Sequence, residues 1–179
     1  MLVPAQFYAD EIKTALLNTW YVDKYKYYHN NSFFDEVEIE NTTWNRHQFA
    51  AVDKNNTLRG YISYNINRQN CYVNSICAIN FTNDTIGFSY DLRQALTDIF
   101  EKYGFAKINF CVVVGNPIES SYDQLVEKWG GRVVGIFKED ALLFDNKKYD
   151  RKFYEIMASD YFNHKEKRKQ KEEVRVGKY

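Results

Sequence analysis

The sequence predicts a mixed α/β fold, in which a single sheet with an antiparallel N-terminal part carries helices on both faces. Strand-like apolar segments recur from His47 to Met157, and two stretches with helical periodicity interrupt them. The 179 residues are enough for one domain with a substantial core. No linker or internal repeat divides the chain, so residues 1–179 are expected to form one domain.

The first predicted element is an amphipathic helix from Gln6 to Trp20. Its inner face is formed by Phe7, Ile12, Ala15, Leu16 and Trp20. Residues 21–44, here called the aromatic segment, are rich in aromatic and polar side chains. These aromatic side chains, which include Tyr21, Tyr25, Tyr28, Phe33 and Phe34, either pack on the core or line a cleft for a substrate.

Three strands are predicted next, as an antiparallel meander. Their sequences are HQFAAV, YISYNIN and CYVNSICAINF, separated by the polar turns DKNNTLRG and RQN. The chain then changes to helical periodicity, with Phe88, Leu92, Ala95, Leu96, Ile99 and Phe100 on one face. Gly104 is expected to end this helix, and the apolar run KINFCVVV indicates a central strand buried on both faces.

Pro117 is well placed to begin a further helix, which a glycine pair at 130–131 ends. Its inner face is formed by Ile118, Tyr122, Leu125 and Trp129. RVVGIF is predicted as a strand and KED as a turn, and two more extended segments flank the polar DNKK. Residues 163–179 are highly charged and are expected to be a solvated, mobile tail, with a basic interaction arm as the alternative.

Composition excludes several classes of protein. Lysine and arginine balance aspartate and glutamate at 24 each, which argues against nucleic acid or a membrane surface as the partner. No stretch approaches the roughly 20 apolar residues of a membrane span, and no signal peptide is visible, so a cytoplasmic location is expected. Cys71, Cys77 and Cys111 suit neither a disulfide framework nor a zinc site. Buried reduced thiols are expected, with a reactive thiol as the alternative.

Two stretches carry candidate chemistry. In the first, residues 84–89, Gly87 lies where a loop enters a helix. The first N–H groups of a helix lack internal partners and attract anions, and a glycine there permits close approach of an anion. The hydroxyl of Ser89 would add a donor. The alternative for Gly87 is a simple turn.

The second stretch follows the predicted central strand, where GNP breaks the chain. Asn116 can present its amide at the carboxyl end of this strand, the place where ligands bind in open α/β sheets. The alternative for Asn116 is a turn or helix-capping residue.

Together these patterns resemble the GNAT superfamily of N-acetyltransferases, over roughly Phe49 to Met157. The family's Gln/Arg-x-x-Gly-x-Gly/Ala loop resembles residues 84–89, although only the middle glycine matches strictly. The family's asparagine, helix and Glu-Lys-x-Gly segment resembles Asn116 and the later residues 127–130. The closing strand pair is also similar.

The resemblance implies binding of acetyl-CoA in a V-shaped gap between two splayed central strands. The implied contacts with the diphosphate are the N–H groups of Ile86, Gly87, Phe88 and Ser89. The pantetheine arm would pair with backbone near Ile79 and Phe81, and Asn116 would bond the arm near the thioester. The implied reaction is direct transfer of acetyl to an amine acceptor, without a covalent enzyme intermediate.

The sequence also departs from the family. Many members have a tyrosine where Val126 stands, and Tyr122 lies one helical turn earlier. Tyr122 either supplies the catalytic hydroxyl or packs in the core. The strand before residues 84–89 lacks the glutamate that members often carry; the nearest substitutes are Asp84, Glu119, His29 and His47.

Two hypotheses follow. The first is an active acetyl-CoA-dependent N-acetyltransferase, with a small amine, a polyamine, an antibiotic or a protein amine as acceptor. Glu36, Glu38 and Glu40 hint at a polycation, although alternation along a strand also predicts exposed carboxylates. The second is a catalytically inactive GNAT-like module that binds CoA or a protein partner. The sequence leaves open whether the chain forms a homodimer.

Overall fold

The structure is a computed structural model that describes residues 1–28 and 38–176. Its strands are β1 (Leu2–Pro4), β2 (Arg46–Val52), β3 (Leu58–Asn67), β4 (Tyr72–Asn80), β5 (Lys107–Val113), β6 (Arg132–Leu142) and β7 (Lys148–Met157). Its α-helices are α1 (Ala9–Leu17), α2 (Thr85–Glu101), α3 (Glu119–Trp129) and α4 (Ala158–Val176). Short 3-10 turns occur at Ala5–Tyr8 and Asp23–Tyr25.

The strands form one seven-stranded mixed sheet in the order β1-β2-β3-β4-β5-β7-β6. The contact between β4 and β5 is parallel and every other contact between neighbours is antiparallel. A parallel contact requires a crossover, which α2 supplies. The predicted fold class, a mixed sheet with an antiparallel N-terminal part, is confirmed.

Helices cover both faces of the sheet, as predicted. The main core lies between the sheet and α2, α3 and α4, where Trp129, Tyr154 and Tyr161 are all buried. On the opposite face, Ile12 and Leu16 of α1 pack on β2 and β3. Successive residues of a strand direct their side chains to opposite faces of the sheet and therefore belong to different cores. Counting residues along a strand from one of known orientation, here called strand parity, tells which face a side chain occupies.

The centre of the sheet is splayed. Only two residue pairs join β4 to β5, Tyr72 with Lys107 and Val73 with Ile108. Directly after them, Ser75 takes a left-handed φ of 52° where the register of β4 against β3 shifts. Such a bulge bends a strand away from its neighbour. The predicted V-shaped opening is therefore present, and it is called the gap below.

Several element boundaries differ from the prediction. The first helix is shorter, and Phe7, expected on its inner face, is 76% exposed because it lies in the preceding 3-10 turn. KED is a bulge rather than a turn, since β6 continues through it with Glu139 at a φ of 53°. The three-residue strand β1 was not predicted, because so short a segment shows no periodicity.

The charged tail is also corrected, because residues 158–176 form α4. Tyr161 at its start stacks on Phe100 with ring centroids 4.9 Å apart and meets the Trp129 ring edge-on. Farther along, Arg168 donates a hydrogen bond of 3.0 Å to the carbonyl of Lys128. An aromatic cluster therefore anchors the start of the helix. The many charged residues that follow Tyr161 kept the sequence pattern from indicating this.

The cysteines are less buried than expected, since Cys71 and Cys111 are exposed and Cys77 is half-buried. Among residues 1–28 and 38–176, no cluster of three or more His, Cys, Asp or Glu side chains could hold a metal ion. No helix within these ranges is both long enough and apolar enough to cross a membrane.

Candidate active site

The two open strand edges form the walls of the gap. On β4, the N–H of Phe81 donates to the carbonyl of Arg59 on β3 at 2.9 Å. Hydrogen-bonded pairs recur at every second residue of an antiparallel ladder, so Ile79 also directs its backbone groups at β3. In this register the backbone groups of Ile79 and Phe81 themselves are used within the sheet. The backbone groups of Ala78 and Asn80 face the gap instead.

Tyr122 reaches the gap from α3. Its ring packs against Phe110 on the α3 side of the sheet, with centroids 5.2 Å apart. Burial raises the pKa of Tyr122 to about 12, and interaction with the thiols of Cys77 and Cys111 adds to the rise. By strand parity these two thiols lie on the opposite face of the sheet, one on each strand that borders the gap. Tyr122 therefore lies beside the two strands that border the gap, and we infer that its hydroxyl is directed towards the opening.

The hydroxyl of Tyr122 has no hydrogen-bond partner in the part of the chain that the structure describes. Tyr154, by contrast, donates to Asp123 at 2.8 Å. A free hydroxyl in the gap is available to a ligand. The two alternatives for Tyr122 are therefore compatible, because its ring belongs to the core while its hydroxyl faces the opening.

An ion-pair cluster fixes α3 against the sheet. Lys152 of β7 contacts both carboxylate oxygens of Asp123 at 2.7 and 2.9 Å and Glu119 at 3.3 Å. The hydrogen bond from Lys152 lowers the pKa of Asp123, and in return Asp123 raises the pKa of Lys152. Because Asp123 adjoins Tyr122 in α3, this cluster holds the helix that carries the tyrosine.

Asn116 lies at the carboxyl end of β5, as predicted, and shapes the turn into α3. Its side-chain oxygen accepts from the N–H of Ile118 at 3.1 Å, and its carbonyl accepts from Glu119 at 2.9 Å. The turn-residue alternative is therefore confirmed for the oxygen. The amide nitrogen of the side chain has no partner among the described residues.

The expected anion seat, the N–H groups of residues 86–89, is largely occupied by the protein itself. The helix begins at Thr85, and the side chain of Asp84 caps it by accepting from the N–H of Gly87 at 2.8 Å. The N–H of Phe88 bonds to the backbone carbonyl of Asp84, and the hydroxyl of Ser89 donates to the carbonyl of Thr85 at 2.7 Å. Among the four predicted N–H groups, only that of Ile86 lies free of both capping and helical bonds.

Gly87 makes room for an ion pair. A Cβ at this position would collide with the carboxylate of Asp84 and lie 2.8 Å from Cζ of Arg59. Nε of Arg59 contacts Asp84 at 3.0 Å, and its Nη1 contacts Asp91 at 2.8 Å. Gly87 is therefore required by the packing of Arg59 and Asp84, a reason that the local sequence did not reveal.

The candidate bases within the described residues do not line the gap as free groups. Asp84 and Glu119 are both ion-paired. His47 is buried on the α2 face, where its Nδ1 lies 2.8 Å from the hydroxyl of Tyr64. His29 and Glu36 lie outside the described residues.

Sequence reasoning missed a cluster beside the end of β5. Lys26 of the aromatic segment donates to Tyr149 at 2.6 Å and pairs with Asp145 at 2.8 Å. The hydrogen bond from Lys26 lowers the pKa of Asp145 to about 2. The cluster joins the aromatic segment to the β6–β7 turn. More than one hundred residues separate the partners along the chain, so no local pattern reveals it.

The aromatic segment also reaches the gap. The thiol of Cys77, on the β4 wall, donates to the hydroxyl of Tyr28 at 3.3 Å. Tyr25 and Tyr28 pack against the core beneath α1, whereas Tyr21 is 71% exposed. Phe33 and Phe34 lie outside the described residues. Within the described part, Tyr25 and Tyr28 therefore support the core reading, and Tyr28 also borders the opening.

Solved structures with a similar fold include spermidine N-acetyltransferases. A single-residue variant of spermidine N-acetyltransferase SpeG from Vibrio cholerae is 25% identical, covering 69% of this chain and 72% of its own, with a TM-score of 0.56. Spermidine/spermine N-acetyltransferase SpeG from the same organism, with manganese ions, is 22% identical over 68% and 70% of the two chains, with a TM-score of 0.56.

A structure described as a probable acetyltransferase is 18% identical, covering 64% of this chain and 63% of its own, with a TM-score of 0.52. No protein-family model matches the sequence, and no curated protein is significantly similar to it.

Proposed function

We propose that this chain, which has the fold of the GNAT N-acetyltransferases, transfers an acetyl group from acetyl-CoA to the nitrogen of an amine. The observation that carries the proposal is the gap between β4 and β5. It is supported by Tyr122 beside the gap, whose hydroxyl has no partner among the described residues. A sheet that is open at its centre exposes backbone donors and acceptors on both walls, which suits an extended ligand that contains amide groups.

The chemistry requires a neutral amine and a protonated group beside the departing sulfur. The amine nitrogen forms a bond to the thioester carbon, the carbon–sulfur bond breaks with its electron pair going to the sulfur, and the proton that the nitrogen loses passes through solvent to the released thiolate. With its pKa raised to about 12, Tyr122 stays protonated at neutral pH and can donate a hydrogen bond to the thiolate as it forms. This role is open to Tyr122 even though Val126 occupies the usual tyrosine position.

The residues of the gap fit the pantetheine arm of acetyl-CoA, whereas the start of α2 does not fit its diphosphate. The backbone of Ala78 and Asn80 and the free side-chain nitrogen of Asn116 suit the amide groups of a pantetheine arm. The start of α2 does not fit a diphosphate in this conformation, because Asp84 occupies the N–H of Gly87. The proposal therefore places the arm in the gap and assigns no diphosphate contact to Gly87, Phe88 or Ser89.

The acceptor is proposed to be a small amine, and a polyamine is the first class to test. SpeG, one of the structural neighbours, is a spermidine N-acetyltransferase. In this chain Glu38 is exposed and Glu40 is half-buried, and Glu40 lies 3.8 Å from Arg46. Glu38 is therefore the carboxylate that a cationic ligand could contact, among those of the three glutamates that the structure describes.

The test is amine-dependent release of thiol from acetyl-CoA, with spermidine, spermine, small primary amines and lysine peptides as acceptors. Addition of one acetyl group to the amine, seen by mass spectrometry, is the expected result. Release of thiol that is independent of the amine, or no product with any acceptor, contradicts the proposal.

A second candidate is a CoA-binding or protein-binding module without transfer activity. It is favoured by Val126 and by the absence of a carboxylate from β4. Binding of CoA in calorimetry, combined with no acetylated amine across the acceptor panel, distinguishes this module from the enzyme.

A further inference from the structure

We propose that the carboxylate of Asp84 is an internal substitute for the diphosphate of the acyl donor, and that it sets the affinity of this chain for that donor. The inference rests on the proposed function, since it takes CoA as the donor. It concerns the start of α2, where the residues of this chain do not fit the diphosphate of the donor.

Asp84 makes the contacts that a diphosphate oxygen pair would make. One carboxylate oxygen accepts from the N–H of Gly87 at 2.8 Å, and the other lies 3.0 Å from Nε of Arg59. Backbone N–H groups at a helix start and a guanidinium are both preferred partners of phosphate oxygens. The two groups are arranged for an anion, and the anion present is a side chain of the protein.

Arg59 is fixed, whereas Asp84 lies at the edge. The side chain of Arg59 is 13% exposed, and Asp91, itself 10% exposed, holds its Nη1 at 2.8 Å. The side chain of Asp84 is 49% exposed. Asp84 can therefore leave Gly87 and Arg59 without any movement of the arginine, and the two groups then remain in place for another anion.

The charge of Asp84 opposes binding in two ways. It occupies the hydrogen-bonding partners, and it repels a second anion that approaches them. A neutral side chain at position 84 removes the repulsion and frees the guanidinium of Arg59. We expect the affinity for CoA to increase about tenfold, near the lower end of what a hydrogen bond to a charged group contributes.

The variants Asp84→Asn and Asp84→Ala test the inference. Asparagine caps helices as well as aspartate does, so Asp84→Asn removes the charge and retains the cap. Calorimetry measures the affinity for CoA, and the Gly87 amide resonance of labelled protein is followed while inorganic diphosphate is added. We expect both variants to bind CoA about tenfold more tightly than the wild type. We also expect diphosphate to shift Gly87 in Asp84→Ala at concentrations that leave the wild type unchanged.

The matched control is Asp98→Asn, which removes a charge from the same helix about 20 Å farther along its axis. It is expected to bind CoA like the wild type. Equal affinity of wild type and both Asp84 variants, or an equal shift of Gly87 in the wild type, overturns the inference.

The proposed function fails separately. If the Asp84 variants bind CoA more tightly but no variant acetylates any amine, the inference holds and the transfer activity does not. If the wild type acetylates amines and the variants bind CoA no more tightly, the activity holds and the inference is overturned.

Discussion

Tyr122 is the residue on which the proposed chemistry depends. Replacement by phenylalanine retains the ring in the core and removes the hydroxyl from the gap. We expect kcat to fall about 100-fold, the lower end of the range for a positioned proton donor, with the CoA dissociation constant changed less than about twofold. Because the pKa of Tyr122 is about 12, its ionisation should cause no loss of rate between pH 7 and about 10. Steady-state kinetics across this range provide the measurement.

Tyr90→Phe is the control for Tyr122, because Tyr90 lies on α2 and is 70% exposed. This substitution should leave kcat and the CoA dissociation constant unchanged. Normal turnover by Tyr122→Phe would restrict Tyr122 to a packing role.

His47 gives the pH dependence of folding a predictable sign. Burial is the main cause that lowers its pKa below 6.5, and the charges of Arg68 and Lys102 add to this effect. As the pH falls, the unfolded chain therefore binds a proton first, and the folded state loses stability. The stabilisation is present above about pH 6.5 and is lost as the pH falls through the lower pKa of the folded state.

Urea unfolding at pH 7.5 and at pH 5.0 measures this effect. The wild type should lose more stability between these two pH values than His47→Gln, which has no imidazole to protonate. Equal losses would show that His47 is protonated as easily in the folded state as in the unfolded chain.

At the scale of elements, Gly130 ends α3 in a geometry that a side chain cannot share. Its φ is 77°, and a Cβ would lie 2.6 Å from the ring of His164 on α4. Gly104, after α2, has a φ of 68° but open space around it. We expect Gly104→Ala to cost about 1 kcal/mol of unfolding free energy from backbone strain alone. Gly130→Ala should cost about 2–3 kcal/mol, because the clash with α4 adds to this strain.

Thermal and urea unfolding of both glycine variants provide the comparison. Equal costs would mean that α4 yields freely at this contact.

Lys152 links α3 to β7, and its loss leaves two carboxylates without their cation. The side chain is 14% exposed. We expect Lys152→Met to lower the unfolding free energy by about 1–3 kcal/mol. Lys148→Met on the same strand is the control, since Lys148 and its partner Glu139 are 63% and 70% exposed. A pair so exposed contributes about 0–1 kcal/mol. Equal effects in urea unfolding would remove the special role of Lys152.

The elements show where the sequence was informative. Periodicity predicted α2 and α3, because each buries one continuous apolar face. It missed α4, whose burial is confined to its first turns while charged residues dominate the rest. The start of α2 was predicted three residues late, because its first turn, Thr85–Gly87, contributes nothing to the apolar face.

At the scale of the molecule, β6 leaves one edge of the sheet open. Among the residues that the structure describes, no strand pairs with its outer side. Val134, Ile136 and Phe137 on this strand are between 53% and 59% exposed. Long apolar edge strands promote association, so we expect the chain to form a homodimer through β6.

Sedimentation of wild type and Val134→Lys tests this expectation. The charge should raise the dimer dissociation constant about tenfold or more, whereas Phe7→Lys, on the opposite end of the sheet, should not. A wild type that stays monomeric at high concentration contradicts a dimer through β6.

The order of strands and helices from α1 to β7 was accessible from sequence, and so was the opening at the centre of the sheet, through family resemblance. The occupied anion seat was not accessible. Asp84 appeared to be a mismatch in a loop, while its partner Arg59 lies on another strand and carries no motif. Tyr122 was identified correctly as a residue of α3, but only the packing shows that its hydroxyl enters the opening.

The two residue pairs between β4 and β5 have a mechanical consequence. Few backbone bonds there join the half of the sheet from β1 to β4 to the half from β5 to β6. Side-chain packing in the main core has to hold the halves together. A molecule that binds in the gap and contacts both halves stabilises the folded state, so the free energy of unfolding rises with the concentration of that molecule.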